Sequence, residues 1–187
     1  KFTADVEIIL LLEELVEQRC GMHNKYFADK QIGNEGVYTA GKSYPDEDLM
    51  ALVGVVSSKL EMPDSEVIGL FGEYMFSQLA DRYPIFIEQE NTLRGFLKSV
   101  DEVIHVEVRK LYENPNLPTF ACKDIDDQTL LMEYRSPRQL CILAEGLIRG
   151  AALHYKTAIT LEHPRCLHKG HDHCDLIVRF NTSGDDV

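Results

Sequence analysis

The chain is 187 residues long, with a formal net charge of −12, 44% hydrophobic and 27% charged residues, which suits one well-buried soluble core. So acidic a chain has no basic stripe to neutralise phosphates, which argues against nucleic acid as a partner. No apolar run approaches the roughly 18 residues of a membrane span, and the start, Lys-Phe-Thr-Ala-Asp, lacks the regions of a signal peptide, so a cytoplasmic location is expected.

In chain order, residues 6–20 carry a helical block that ends at Gly21. Residues 23–31 (HNKYFADKQ) suggest a short polar helix, and 33–43 are rich in glycine and turn formers. Ser43-Tyr-Pro-Asp-Glu-Asp predicts a helix start with Pro45 in the first turn, followed by Leu49, Leu52, Val53, Val56 and Leu60 at helical spacing. Pro63-Asp-Ser-Glu opens another helix, with Val67, Leu70, Phe71, Tyr74, Met75 and Leu79 on its apolar side. Pro84–Leu97 reads as a loop and a short helix. The stretch Ser99–Pro118 predicts a helix with Val100, Val103, Ile104, Val108 and Leu111 on one stripe. Asp101 and Glu102 fall early and Arg109 and Lys110 late, as the helix dipole favours, and Pro115 and Pro118 stop the helix. The period then changes. Thr119–Lys123, Leu130–Tyr134, Ala158–Glu162 and Asp175–Phe180 read as short strands, with a helix over Arg138–Tyr155. Helices followed by a small antiparallel sheet crossed by one helix predict a single α+β domain over residues 1–187.

Three groups of residues carry chemistry. His105 stands mid-helix, one turn from Asp101. Alone it reads as a packed or surface histidine, although neutral imidazole is a common ligand for a metal or haem iron. If Tyr134-Arg-Ser-Pro-Arg138 is extended, Tyr134, Ser136 and Arg138 project to one side. Two hydroxyls and a planar guanidinium then suit a pair of carboxylates. The third group is the segment 163–174, HPRCLHKGHDHC. Thiolate and imidazole are the donors zinc prefers. His163-x-x-Cys166 and Cys174 flank one turn and Cys141 could supply a fourth ligand, while His168, His171 and His173 compete for the nitrogen position. A polar turn with two buried cysteines is the competing reading. Five cysteines, an odd number, fit reduced thiols or metal ligands better than a disulfide framework.

Taken together, His105, the prolines beyond it, Tyr134-x-Ser136-x-Arg138 and Ala144-Glu-Gly-Leu-Ile-Arg-Gly150 resemble the H-NOX family of haem nitric oxide/oxygen-binding domains. The likeness covers nearly the whole chain and is strongest over Tyr44–Phe76 and His105–Gly150. It implies haem b between the helical part and the sheet, with His105 as the axial iron ligand. Tyr134, Ser136 and Arg138 would hold the propionates, and Pro118 would press on the macrocycle. The Cys/His tail resembles a bacterial subset with zinc, which favours Zn²⁺ on Cys141, His163, Cys166 and Cys174. Counting back from Gly146-Leu-Ile places Leu143 where O₂-binding members carry a distal tyrosine. The resemblance therefore implies NO and CO as ligands and no stable O₂ complex. The first forty residues depart most from the family. Trp is absent, Val6-Glu7 replaces the usual small start of the first helix, and residues 23–31 are more polar than usual.

The function so implied is a gas sensor rather than an enzyme. NO would weaken or break the iron–His105 bond. No output sequence follows Phe180, so a histidine kinase or a cyclic-di-GMP enzyme (diguanylate cyclase or phosphodiesterase) is the expected partner in trans. A zinc-thiolate redox switch acting on the same partner is the alternative. A haem enzyme fits less well, because no distal acid/base pair is recognisable.

Overall fold

The computed structural model describes residues 3–21, 43–111 and 115–181. Strand β1 (Thr3–Asp5) leads directly into helix α1 (Val6–Cys20) and pairs antiparallel with β2 (Ser43–Pro45), Ala4 opposite Tyr44. The expected short helix at 23–31 lies outside the described residues. Pro45 is not in the first turn of the next helix. It ends β2 and caps α2 (Asp46–Leu60), so the first-turn acids begin at Asp46 itself. Helix α3 (Asp64–Arg82) follows Pro63, and α4 (Pro84–Glu88) is a short turn of helix. Together α1, α2 and α3 bury Ile9, Leu12, Leu52, Val53 and Phe71 in one cluster.

The helix that carries His105 starts six residues earlier than its sequence suggests. Thr92 caps α5 (Leu93–Ser99), its Oγ1 accepting from Gly95 N at 3.1 Å. A π-helical turn (Val100–Ile104) and α6 (His105–Leu111) continue it without a break. Leu93, Phe96 and Leu97, all buried, extend the stripe of Val100 and Ile104 backwards, which is why the helix begins there. Asp101 and Glu102 are therefore mid-helix residues.

The second half is an antiparallel sheet of β3 (Thr119–Asp126), β4 (Thr129–Arg135), β5 (Ile159–Arg165) and β6 (Cys174–Phe180), in the order β3-β4-β6-β5. On β4, Leu130, Met132 and Tyr134 alternate inward, and Cys174, Leu176 and Val178 do so on β6. They meet Ala144, Ile148 and Ala151 of helix α7 (Cys141–His154). The helix does not start at Arg138. Ser136 Oγ accepts from Arg138 N at 3.2 Å, and Gln139 has φ 54°, so residues 136–140 turn and Arg138 stands in the turn. Helix α7 also reaches the first cluster through Leu143 and crosses α3 closely. A Cβ on Gly72 would lie 2.6 Å from Leu143 O and 2.8 Å from Gly146 Cα, so glycine is required there. This is an α+β architecture, with α7 shared between its two halves.

Candidate cofactor and metal sites

A deep apolar cavity lies between the helical half and the sheet. Its walls include Leu11, Met75, Phe76, Leu143 and Leu147 on the helical side, and Phe120, Met132 and Pro118 on the other. His105 lines it, 9% exposed, with its ring centroid 5.9 Å from that of Phe120. Its Nδ1 lies 3.1 Å from Asp101 Oδ1. A carboxylate at Nδ1 draws the ring proton there and leaves the lone pair on Nε2. Burial holds this imidazole below its ordinary pKa, against the opposing pull of Asp101, so the neutral, ligating form is favoured. The π turn immediately before His105 adds to the picture, since such turns recur at functional sites.

Tyr134, Ser136 and Arg138 also line the cavity. They do not share one extended face, because only Tyr134 lies within β4 and the chain turns after Arg135. Tyr134 is 2% exposed, and burial pushes its phenol up to about 12, so it stays a neutral donor. Arg138 presents Nε and Nη2 to Asp46, at 2.8 Å from Oδ2 and 2.7 Å from Oδ1, and Nη1 reaches Asn116 O at 3.4 Å. Its fork thus already holds a carboxylate in a bidentate pair. Asp46 is a site residue that the sequence reading treats only as a helix-dipole acid. It lies 92 positions from Arg138, and no local pattern joins the two. Tyr83, at the junction of α3 and α4, is a member of the cavity lining that the sequence reading misses. The residues present fit a haem: apolar walls, one neutral buried imidazole, and hydroxyl and guanidinium groups suited to carboxylates.

The Cys/His residues converge on the other side of α7. Ligand atoms of Cys141, His163, Cys166 and Cys174 all lie within 4.8 Å of one another. Cys141 and Cys166 sulfurs are 3.9 Å apart, and Cys174 Sγ accepts from Leu167 N at 3.3 Å. His163 Nδ1 bonds Glu145 Oε1, while His163 Nε2 is buried with no hydrogen-bond partner. An orphaned imidazole nitrogen beside three sulfurs fits a tetrahedral zinc. Burial pushes the Cys141 and Cys174 thiols up, so thiolates here need a cation beside them.

The competing groups are elsewhere. His168 contacts Gln139 O at 2.7 Å, and His173 lies between Asp172 (2.7 Å) and Asp175 (3.1 Å). His171 is exposed, and Cys122 sits on β3 facing Leu97 O at 3.7 Å. Glu133, His173 and Asp175 also cluster, but Arg135 and Arg165 already neutralise the two acids, at 3.0 Å and 3.5 Å. No helix of the described residues is long and apolar enough to cross a membrane.

A helical half and an antiparallel sheet that enclose one apolar, histidine-bearing cavity define an α+β cofactor-binding class. The family profile described as "Haem-NO-binding" matches residues 8–163. An H-NOX protein from S. oneidensis in its Fe(II)NO state is similar, at 33% identity and a TM-score of 0.89 over 96% of this chain and 100% of that one. The S. oneidensis H-NOX domain in its Fe(II)CO state gives 34% identity and 0.88, over 96% and 100%. The unliganded Fe(II) H-NOX protein from K. algicida gives 25% and 0.85, over 98% and 100%. Comparison with curated proteins found no match. The chain belongs to the H-NOX family of haem-based gas-sensing domains.

Proposed function

We propose that residues 1–187 act as one haem-based NO sensor in the cytoplasm, signalling in trans to a histidine kinase or a cyclic-di-GMP enzyme rather than catalysing a reaction. The observation that carries this reading is buried His105 at the cavity wall, with Asp101 on Nδ1 and burial favouring the neutral ring. His105 would hold the iron of haem b, Tyr134, Ser136 and Arg138 its propionates, and Pro118 and Leu143 its faces. When bound, the haem supplies a ferrous iron with one coordination position open to a gas.

The chain's own contribution is selectivity. Leu143, 7% exposed and at the cavity wall, offers no hydrogen-bond donor. O₂ on ferrous haem gains most from a donor because it carries partial negative charge, whereas NO and CO depend on one much less. The known Fe(II)NO and Fe(II)CO states of the S. oneidensis protein support the same choice of gases. Anaerobic ferrous protein mixed in turn with NO, CO and air tests this. NO and CO complexes are expected, with no stable oxy form, and a persistent oxy spectrum in air would contradict it.

A second reading rests on a separate observation, the unpartnered His163 Nε2 among three cysteine sulfurs. Cys141, His163, Cys166 and Cys174 would hold one structural Zn²⁺, tying the β5–β6 hairpin to α7. A peroxide-class oxidant that takes two electrons from a pair of the thiolates, itself reduced to water, would join them as a disulfide, remove two donor atoms and loosen that tie, adding a redox input to the same output. Metal analysis of the wild type and of the four alanine variants tests it, and zinc retained in all four would refute it.

A further inference from the structure

Glu145 belongs to neither the cavity nor the four metal donors, yet it touches the metal corner. Cys141, Glu145 and Arg149 recur every fourth residue on α7, so they stack on one face of the helix. Glu145 Oε1 meets His163 Nδ1, and its other oxygen, Oε2, lies 3.5 Å from Arg149 Nη1. Arg149 Nε in turn donates to Glu73 Oε1 of α3 at 2.9 Å. The carboxylate is thus fixed from behind while it holds the ring in front. His163 is left with one nitrogen satisfied and the other, Nε2, buried and unpartnered.

We propose that Glu145 is a positioning residue for the metal corner: from the helix face that carries Cys141, it holds His163 by Nδ1 and so reserves Nε2 for the metal. The proposal rests on the zinc reading above. An imidazole that carries its proton on Nε2 offers no lone pair there, and one free to rotate loses that freedom on binding and ligates more weakly. A carboxylate at Nδ1 fixes both tautomer and orientation and makes the ring a stronger donor. Partners of this kind alter metal affinity by about 10–100-fold when removed.

Zinc affinity, measured by competition with a chromophoric chelator, tests the idea in the intact chain. Glu145→Ala is expected to weaken zinc binding about 10–100-fold, and Glu145→Gln, which keeps an acceptor oxygen for Nδ1–H, much less. In a His163→Cys background, where no ring needs orienting, Glu145→Ala is expected to change little. An equal loss in both backgrounds would mean that Glu145 acts through the fold alone and would overturn the proposal. Should His163→Cys fail to fold, the ¹⁵N shifts of the zinc-loaded histidines decide. They are expected to report metal on Nε2 of one histidine in the wild type and a lost or mixed pattern in Glu145→Ala, and an unchanged pattern would overturn the assignment. A wild type that binds no zinc refutes the metal reading itself, whereas normal zinc affinity in Glu145→Ala refutes only the role of Glu145.

Discussion

The two sites share α7 and are built on opposite principles. The cavity takes its shape from apolar side chains of many elements, and the polar side chains that line it, among them Tyr83, His105, Tyr134, Ser136 and Arg138, come from distant parts of the chain, with Asp46 paired to Arg138. The Cys/His corner proposed to hold zinc has three of its four candidate donors within residues 163–174 and the fourth at the first residue of α7. A large flat cofactor is held chiefly by surface area, and an ion by donor chemistry and a few bonds. Losing one residue should therefore damage the two sites to different degrees.

The largest effect is expected at the corner. Cys166→Ala should abolish zinc retention, because a closed tetrahedral site loses a quarter of its donors. A clear loss of thermal stability should accompany it, while haem stays bound on the other face of α7. Metal analysis, a melting curve and the Soret band of one preparation check all three parts, and simultaneous loss of haem would break the claim that the sites are separable.

The Arg138 pair comes next. Arg138 and Asp46 are 8% and 19% exposed, and removing one partner of such a pair leaves a poorly solvated charge. In protein without haem, Asp46→Asn should destabilise by about 3 kcal/mol, measured by denaturant unfolding. With haem bound the loss should shrink, since propionates would offer Arg138 another carboxylate. An equal loss with and without haem would count against a propionate role for Arg138.

A backbone test addresses the helix that both sites use. Gly72→Ala should force α3 away from α7 and cost about 2 kcal/mol, because the nearest atoms are backbone atoms that cannot swing aside. A visible change in the Soret band, with zinc content unaffected, would locate that strain at the cavity.

The buried Glu13 gives a pH dependence outside both sites. It is 4% exposed, its Oε1 has no partner, and burial pushes its carboxyl up to about 7 from 4.5. Between those values the unfolded chain has released the proton while the folded chain keeps it, so stability falls as pH rises from about 4.5 to 7 and levels above. Glu13→Gln should therefore stabilise the protein at pH 8 by about 1–2 kcal/mol and have little effect near pH 4.5. Thermal melts at the two pH values show it. The smallest change expected is a gain of function. Leu143→Tyr should raise O₂ affinity by about tenfold, the value of one hydrogen bond. Tyr83→Phe should leave O₂ behaviour unchanged, and a change would show that Tyr83 donates to the bound gas.

The same contrast explains what the sequence makes legible. His163-x-x-Cys166 and Cys174 are close enough in the chain for their soft donors to suggest a metal, whereas Glu145, one turn after Cys141 on the same helix, is not singled out by the sequence reading. The α+β order and the four strands follow from period and turn residues. Partners joined only by the fold are not legible. Asp46 looks like any acid in a first turn, and Tyr83 like any aromatic after a helix. The β1–β2 pairing joins three-residue segments too short to show a period. The π turn before His105 spans Val100 and Ile104, whose four-residue spacing an ordinary α-helix also allows, so nothing in the sequence marks it.

The central claim is that His105 is the axial ligand of a bound haem b. The visible absorption spectrum of the ferrous protein tests it most directly, recorded for the wild type, for His105→Gly, and for His105→Gly with added imidazole. A five-coordinate ferrous spectrum in the wild type is expected, altered in His105→Gly and partly restored by imidazole. A His105→Gly spectrum that matches the wild type without imidazole would contradict the account.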